Sequence, residues 1–148
     1  MAIALSKIKV QAQTGLMLFY SFLTLMVTNV LVIFIANALF PSQVVLGSAS
    51  VPFLWAIHHS MFKLSVIGTF IMSFVAYYEW KKSTTFTPKQ WMITYFVVNL
   101  VGLWGITRFA ENLGLGVSSF GVLIILAIAF DFAQAMSMLS LGKVVKMK

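Results

Sequence analysis

Four ionisable side chains stand inside the long apolar segments of this sequence, where charge is costly. They are His58, His59, Lys63 and Asp131. Ionisable groups in a membrane segment commonly pair with one another or mark an ion or proton pathway. A buried Lys–Asp pair would offset the desolvation of both charges, and a histidine four residues from Lys63 could carry a proton near neutral pH. The sequence therefore predicts an intramembrane polar cluster that acts as a structural clamp or, alternatively, as a proton or ion relay.

The residue types that usually support catalysis or metal binding are scarce. The chain has no cysteine, which removes thiolate ligands and thiol nucleophiles. Its two histidines are adjacent on one helix, so they do not supply haem ligands from opposite sides, and a metal site would have few carboxylates. Phosphate-binding loops, nucleophile elbows and zinc-protease motifs do not occur. We expect no enzyme, no cofactor and no metal.

Two further pairs of polar residues are candidates for contacts between or along helices. Asn29 and Asn99 lie within apolar segments, where amides hydrogen-bond across helices. Arg108 and Glu111 are three residues apart near the end of another apolar segment. Their spacing predicts an interfacial ion pair of little net energy.

The composition of the chain is typical of an integral membrane protein. Hydrophobic residues make up 61% of the 148 residues and charged residues 9%, whereas soluble domains have about 45–50% apolar and about 25% charged residues. A helix crosses the hydrocarbon core with about 20 residues, so the apolar runs predict four spans in a single membrane domain, 1–148. The predicted spans are 16–40, 51–80, 91–111 and 117–141, and the predicted linker is 81–90.

The basic residues indicate how the spans are oriented. The formal charge is +7, and most of the ten basic residues lie in three clusters outside the apolar runs: Lys7 and Lys9; Lys81, Lys82 and Lys89; and Lys143, Lys146 and Lys148. Because lysine and arginine are retained on the cytoplasmic side, both termini and the linker are predicted to be cytoplasmic, in a multi-pass protein of the cell inner membrane. These residues form no soluble basic face, so no nucleic-acid partner is expected. The sequence Ala36-Asn37-Ala38 could mark signal cleavage, but the preceding apolar run is longer than a signal segment and predicts a retained span.

The two halves of the chain are similar to each other. A shift of about 70 residues aligns Asn29 with Asn99, and after one deletion Leu46-Gly47 aligns with Leu115-Gly116. Both halves begin on the same side, so the repeat is parallel, with its axis along the membrane normal. The predicted fold is therefore an all-α integral membrane protein of two tandem helical hairpins. Lys63 falls within one residue of Asp131 in this alignment, which favours similar depths for the two charges.

One segment of the second half also carries a family resemblance. Its residues are Asn99, Leu103, Trp104, Gly114, Leu115, Gly116, Val117, Ser118, Ser119 and Phe120. The pattern resembles the mycobacteriophage-holin-type family of small four-span membrane proteins. The family's central Pro-rich apolar segment is replaced here by the charged linker. The resemblance implies a small bacterial or phage-like integral membrane protein.

Three functions are consistent with these observations. The preferred interpretation is a structural or partner-binding membrane protein with an intramembrane Lys63–Asp131 clamp. The alternatives are a proton- or ion-coupled transporter or channel subunit and, from the resemblance, a holin-like pore former. Four helices enclose little volume, so transport would require a homo-oligomer. Beyond the lipid bilayer and further copies of itself, the sequence identifies no partner.

Overall fold

Four long apolar helices make up most of the molecule. The computed structural model describes residues 2–146, and the side chains of residues 15–143. The elements in chain order are α1 (Ala2–Leu39), β1 (Val44–Leu46), α2 (Phe53–Lys82), α3 (Pro88–Arg108), α4 (Ala110–Leu113), β2 (Leu115–Val117) and α5 (Phe120–Lys146). Four segments are long and apolar enough to cross a membrane: Gly15–Leu39, Phe53–Lys82, Pro88–Arg108 and Phe120–Lys143. The prediction of four helices of this kind is confirmed.

The helices form two hairpins that pack side by side. Helix α1 packs closely against α2 and α5, and α3 against α5 and α2, whereas no Cα atoms of the diagonal pairs α1–α3 and α2–α5 lie within 8 Å of each other. The apolar core between the helices includes Ile33, Met61, Leu64, Leu103 and Phe130. Large apolar side chains also cover the outer surface. A bundle that is apolar outside as well as inside is suited to a lipid environment.

A short antiparallel strand pair joins the two hairpins at one end of the bundle. In the register of β1 and β2, Val44 lies opposite Val117 and Leu46 lies opposite Leu115. The amide of Gly47 also donates to the carbonyl of Gly114 at 2.7 Å. Gly114 has a φ of +74°, and a Cβ there would collide with Ala56, so only glycine fits this turn. The sequence predicted plain turns here, because three-residue strands with glycine give no alternating pattern.

The third helix ends earlier than its sequence predicts. The predicted span reached residue 111, but the helix ends at Arg108, where Phe109 has φ −109° and ψ 35°. The chain then makes the single turn of α4 before it enters β2. The break is needed because the strand must turn back across the end of the bundle to pair with β1.

The opposite end of the bundle carries the linker between the hairpins. Helix α2 ends at Ser83, which has a left-handed φ of 49°. Helix α3 begins with a capping box between Thr87 and Gln90, with Pro88 in its first turn. The carboxylate of Glu79 accepts a hydrogen bond from the amide of Phe86 at 2.6 Å. These bonds hold the linker against the ends of α2 and α3.

Candidate functional site

A fully buried hydrogen-bond network occupies the centre of the bundle. We call Asn29, Ser65, Asn99 and Gln134 the core network, and each of the four helices that span the bundle supplies one of them. All four side chains are at most 4% exposed. Because unpaired polar groups at membrane depth are costly, the function of such a group depends on whether it finds partners.

The members of the core network satisfy one another. Gln134 Nε2 donates to Asn29 Oδ1 at 2.7 Å and to Asn99 Oδ1 at 3.1 Å. Asn99 Nδ2 donates to Gln134 Oε1 at 2.8 Å, and Asn29 Nδ2 donates to Ser65 Oγ at 2.9 Å. Ser65 Oγ in turn donates to its own helix, to the carbonyl of Met61 at 2.7 Å. The network therefore ties both hairpins together through neutral groups.

Sequence reasoning identified only part of this network. It placed Asn29 and Asn99 in contacts between helices, and the structure joins them through Gln134 rather than directly. Gln134 was not singled out, although an amide in the middle of an apolar helix was a signal that could have found it. Ser65 gives no such signal, because serine is common in apolar helices. A separate bond from Thr28 to Ser137, 2.9 Å long, links α1 and α5 nearby.

Lys63 and Asp131, the expected clamp, do not pair in this structure. They lie on α2 and α5, diagonal helices whose Cα atoms do not come within 8 Å of each other. Within residues 15–143, no basic nitrogen lies within 4.0 Å of a carboxylate oxygen. The physical reason is the arrangement of the hairpins: α2 and α5 lie diagonally across the bundle, and apolar side chains from both helices fill its core. Similar depth in the membrane therefore does not bring the two charges together.

The histidines are also separate from Asp131. His58 is exposed on α2 and stacks between Trp55 and Phe62, with ring centroids 6.3 and 6.2 Å away. The ring of His59 lies 4.7 Å from that of Trp55. The buried Nδ1 of His59 has no hydrogen-bond partner among the described residues. Both rings lie on α2, diagonally across the bundle from α5, and no hydrogen bond among the described residues joins either of them to Asp131, so the His–Lys–Asp relay is not assembled.

Arg108 and Glu111 are likewise not in contact as an ion pair among the described residues. Helix α3 ends at Arg108, so the helical spacing that would have brought the two side chains together is lost at Phe109. The guanidinium of Arg108 lies 5.2 Å from the ring centre of Trp104, a cation–π distance. The backbone carbonyl of Glu111 accepts hydrogen bonds from Ser48 and Ser50 across the strand-pair end.

A pocket of about 440 Å³ opens at the linker end of the bundle, between α3, α5 and the linker. We call it the linker pocket, and its lining residues are Met72, Phe86, Pro88, Trp91, Met92, Tyr95, Asp131, Gln134, Ala135, Met138 and Leu139. The acidic side chain in the wall of this pocket is Asp131, which is 7% exposed. Within residues 15–143, no hydrogen-bond donor reaches the Asp131 carboxylate. The sequence drew attention to Asp131 but not to the pocket around it.

Aromatic rings form a continuous row that leads from the linker into this pocket. We call Tyr78, Phe86, Trp91 and Tyr95 the aromatic row. Successive ring centroids are 5.9, 5.6 and 5.9 Å apart. Tyr78 is exposed at the end of α2, whereas Tyr95 is half-buried and its hydroxyl donates to the carbonyl of Gly68 at 3.2 Å. The row offers π faces along the whole approach from the linker end.

The linker pocket and the core network meet at Gln134, which belongs to both. The linker pocket combines apolar walls, aromatic rings and one carboxylate, and this combination suits binding of a small organic molecule. Among the described residues, no group of three or more His, Asp or Glu side chains could hold a metal ion. No family model, no curated protein and no solved structure matches this chain, so the resemblance to holin-type proteins stays a prediction.

Proposed function

We propose that this chain is a four-span inner-membrane transport protein that binds small organic solutes in the linker pocket. The observation that carries the proposal is a pocket of about 440 Å³ with a carboxylate at its inner end. Small-molecule sites usually enclose about 300–1,000 Å³ and combine apolar walls with a few polar groups. The linker pocket fits this description, and it supports a role in binding rather than a purely structural one.

The pocket reaches half-way through the bundle. Asp131 lies near the middle of the apolar segment Phe120–Lys143, and Leu139 lines the same pocket eight residues later. At a rise of about 1.5 Å per residue, these positions are about 12 Å apart along the helix. The pocket therefore extends from the linker end to about mid-membrane depth, which is how an access path open to one side is arranged.

The basic residues support cytoplasmic access to this pocket. Lys81, Lys82 and Lys89 lie at the linker end, and Lys143 lies near the same end of α5. At the strand-pair end, Arg108 is the basic residue among those described. Because positive charge is retained on the cytoplasmic side, this asymmetry favours a cytoplasmic linker and cytoplasmic termini.

We also propose that the two hairpins are a parallel repeat. Leu46 and Leu115, which the sequence alignment equates, lie directly opposite each other in the antiparallel strand pair. A two-fold axis along the membrane normal that passes between them would exchange the hairpins. The contacts support such an axis, since α1–α5 and α2–α3 are the two interfaces that it would relate. Ser65 and Gln134 are then equivalent positions in the core network.

The main alternative is a structural or partner-binding protein. The core network favours it, because a closed set of neutral hydrogen bonds fixes helix packing without any need for a ligand. In that case the linker pocket would be filled by lipid and closed to water. A holin-like pore former is the third possibility, and it would assemble into structures that release large solutes.

A pair of single-cysteine variants tests the proposal, because the chain has no cysteine of its own. Met138→Cys places a thiol in the pocket wall, and Met136→Cys places one on the outer face of the same helix, where Met136 is 70% exposed. The purified variants are reconstituted in liposomes and treated with N-ethylmaleimide. Only an ionised thiol reacts, so the reaction rate reports contact with water. We expect Met138→Cys to react at least about 10-fold faster than Met136→Cys.

Equal, slow labelling of the two variants would contradict an open pocket and favour the structural alternative. A flux measurement then separates transport from pore formation. Liposomes loaded with a pH-sensitive dye and with solutes of increasing size should retain the large solutes if the chain is a transporter. Release of large solutes would favour the holin-like alternative.

A further inference from the structure

We infer that the linker pocket selects lipophilic organic cations, with the Asp131 carboxylate and the aromatic row as the groups that recognise positive charge. The inference rests on the proposed function, because it names the substrate class of the same pocket. It follows from three features: an acid that no group of the described chain neutralises, aromatic rings in the same pocket, and the absence of any basic side chain among the described lining residues.

The first feature is the isolation of the carboxylate. Asp131 is 7% exposed, and within residues 15–143 neither a basic side chain nor a hydrogen-bond donor reaches it. Lys63, which lies a similar number of residues into α2, stands on the helix diagonal to α5, and its ammonium is not within 4.0 Å of the carboxylate. An ionised carboxylate in apolar surroundings is stabilised when a positive charge enters beside it.

The second feature is the aromatic wall. Phe86, Trp91 and Tyr95 line the same pocket as Asp131, and their successive ring centroids are less than 6 Å apart. The face of an aromatic ring attracts a cation electrostatically, and indole does so most strongly. The same rings also bury the apolar groups of an organic cation. A carboxylate together with several π faces therefore favours a bulky organic cation over a metal ion.

The third feature is that the pocket wall has no basic side chain among its described lining residues. The hydroxyl of Tyr95 donates to the carbonyl of Gly68. The amide of Gln134 bonds to Asn29 and Asn99 in the core network. The neutral indole N–H of Trp91 is the one side-chain donor of the wall without a hydrogen bond among the described residues. The carboxylate of Asp131 is thus the side-chain acceptor left to meet a ligand, and it favours a positive charge.

The lysines of the linker lead to the opposite expectation, that the pocket binds anions. Lys81, Lys82 and Lys89 are exposed at the linker end and would attract anions towards the opening. Charge selection by these residues would favour an anionic ligand of the same size. The experiment therefore compares a cation and an anion of matched shape, tetraphenylphosphonium and tetraphenylborate.

The measurement is protection of Met138→Cys from N-ethylmaleimide in liposomes. We expect tetraphenylphosphonium to slow the labelling and tetraphenylborate to leave it unchanged. In an Asp131→Asn background, the concentration of cation needed for protection should rise about 30-fold, since the ion pair is lost. Trp91→Leu provides a second test that leaves the carboxylate intact, and should weaken protection about 10-fold.

Protection should also depend on pH, because a proton and the cation compete for the same carboxylate. The pocket residues that other elements place opposite α5 are Met72 from α2, Phe86 from the linker and Pro88, Trp91, Met92 and Tyr95 from α3. Tyr95 is the titratable residue among them. Protection, compared with the unprotected rate at the same pH, should therefore weaken as the pH falls. The Asp131→Asn variant should lose this dependence.

The outcomes separate the two proposals. Absence of labelling at Met138→Cys contradicts the open pocket itself. If tetraphenylborate blocks labelling as well as tetraphenylphosphonium does, only the selection of cations is contradicted. The same holds if the cation protects the Asp131→Asn and Trp91→Leu variants as well as it protects the protein without these changes. If Asp131→Asn does not reconstitute, the Trp91→Leu result and the comparison of cation with anion decide the inference.

Discussion

The core network and the linker pocket both place polar side chains at membrane depth, but they treat them in opposite ways. In the core network, Gln134 bonds to both Asn29 and Asn99, and every member has a partner. In the linker pocket, the Asp131 carboxylate has no partner among the described residues. The first arrangement uses neutral groups that satisfy one another, and the second leaves a charged group exposed to a cavity.

The difference teaches which polar residues hold the bundle together and which are available to a ligand. A satisfied network stabilises packing, because breaking it leaves buried donors and acceptors unpaired. An unsatisfied carboxylate contributes nothing to packing, so its presence is better explained by binding. The boundary between the two lies within a single helix turn of α5, from Asp131 to Gln134.

The largest expected effect comes from breaking the network at its central residue. Gln134→Leu removes three hydrogen bonds and leaves both the nitrogen and the oxygen of the Asn99 side-chain amide without a partner in the network. With about 1 kcal/mol for each bond between helices in a membrane, we expect the free energy of unfolding to fall by about 3 kcal/mol. Titration with sodium dodecyl sulfate, followed by circular dichroism, measures this loss.

Ser140→Ala is the matched control for this variant. Its hydroxyl is exposed on α5 and bonds only to the carbonyl of Met136 in the same helix. The control should change the free energy of unfolding by less than about 0.5 kcal/mol. A loss for Gln134→Leu no larger than that of the control would show that the core network does not hold the bundle together.

A smaller effect is expected from the single bond outside the network. Thr28→Val removes the hydrogen bond to Ser137 while keeping the shape of the side chain. The average bond of this kind in a membrane contributes about 0.6 kcal/mol, so the free energy of unfolding should fall by about that amount. The same detergent titration measures it. A loss of about 2 kcal/mol or more would mean that this bond belongs energetically to the core network.

The smallest effect on the free energy of unfolding is expected at Lys63 and Asp131, the pair that the sequence predicted to clamp the bundle. Lys63→Met and Asp131→Asn each remove a charge that pairs with no described residue. Each should lower the free energy of unfolding by less than about 0.5 kcal/mol, or stabilise the protein, because no partner is left unpaired. A clamp would instead lose about 3–5 kcal/mol in each single variant. Such losses, partly recovered in the double variant, would show that the two residues meet.

The sequence predicted correctly the features that depend on a single helix. The lengths of the apolar runs predicted four helices capable of crossing a membrane, and four are present. Asn29 and Asn99 were expected to bond across helices because an amide in an apolar segment needs a partner, and both lie in the core network. The fixed φ of a proline suits the first turn of a helix, and α3 begins at Pro88.

The sequence was a poor guide wherever two distant elements had to meet. The pairing of Leu46 with Leu115 depends on backbone bonds between segments that are far apart in the chain. The early end of α3 at Arg108 follows from that pairing and separated Arg108 from Glu111. The linker pocket is lined by residues of α2, α3, α5 and the linker, and among these residues the sequence had identified only Asp131 as a candidate site residue.

The sequence by itself therefore determined the long apolar helices, because hydrophobicity and length act along a single segment. The tertiary structure decided which polar residues meet, because that depends on which helices are neighbours and which are diagonal. Lys63 and Asp131 stand on the diagonal helices α2 and α5, and so they do not pair. Gln134 and Asn99 stand on neighbouring helices, and so they bond.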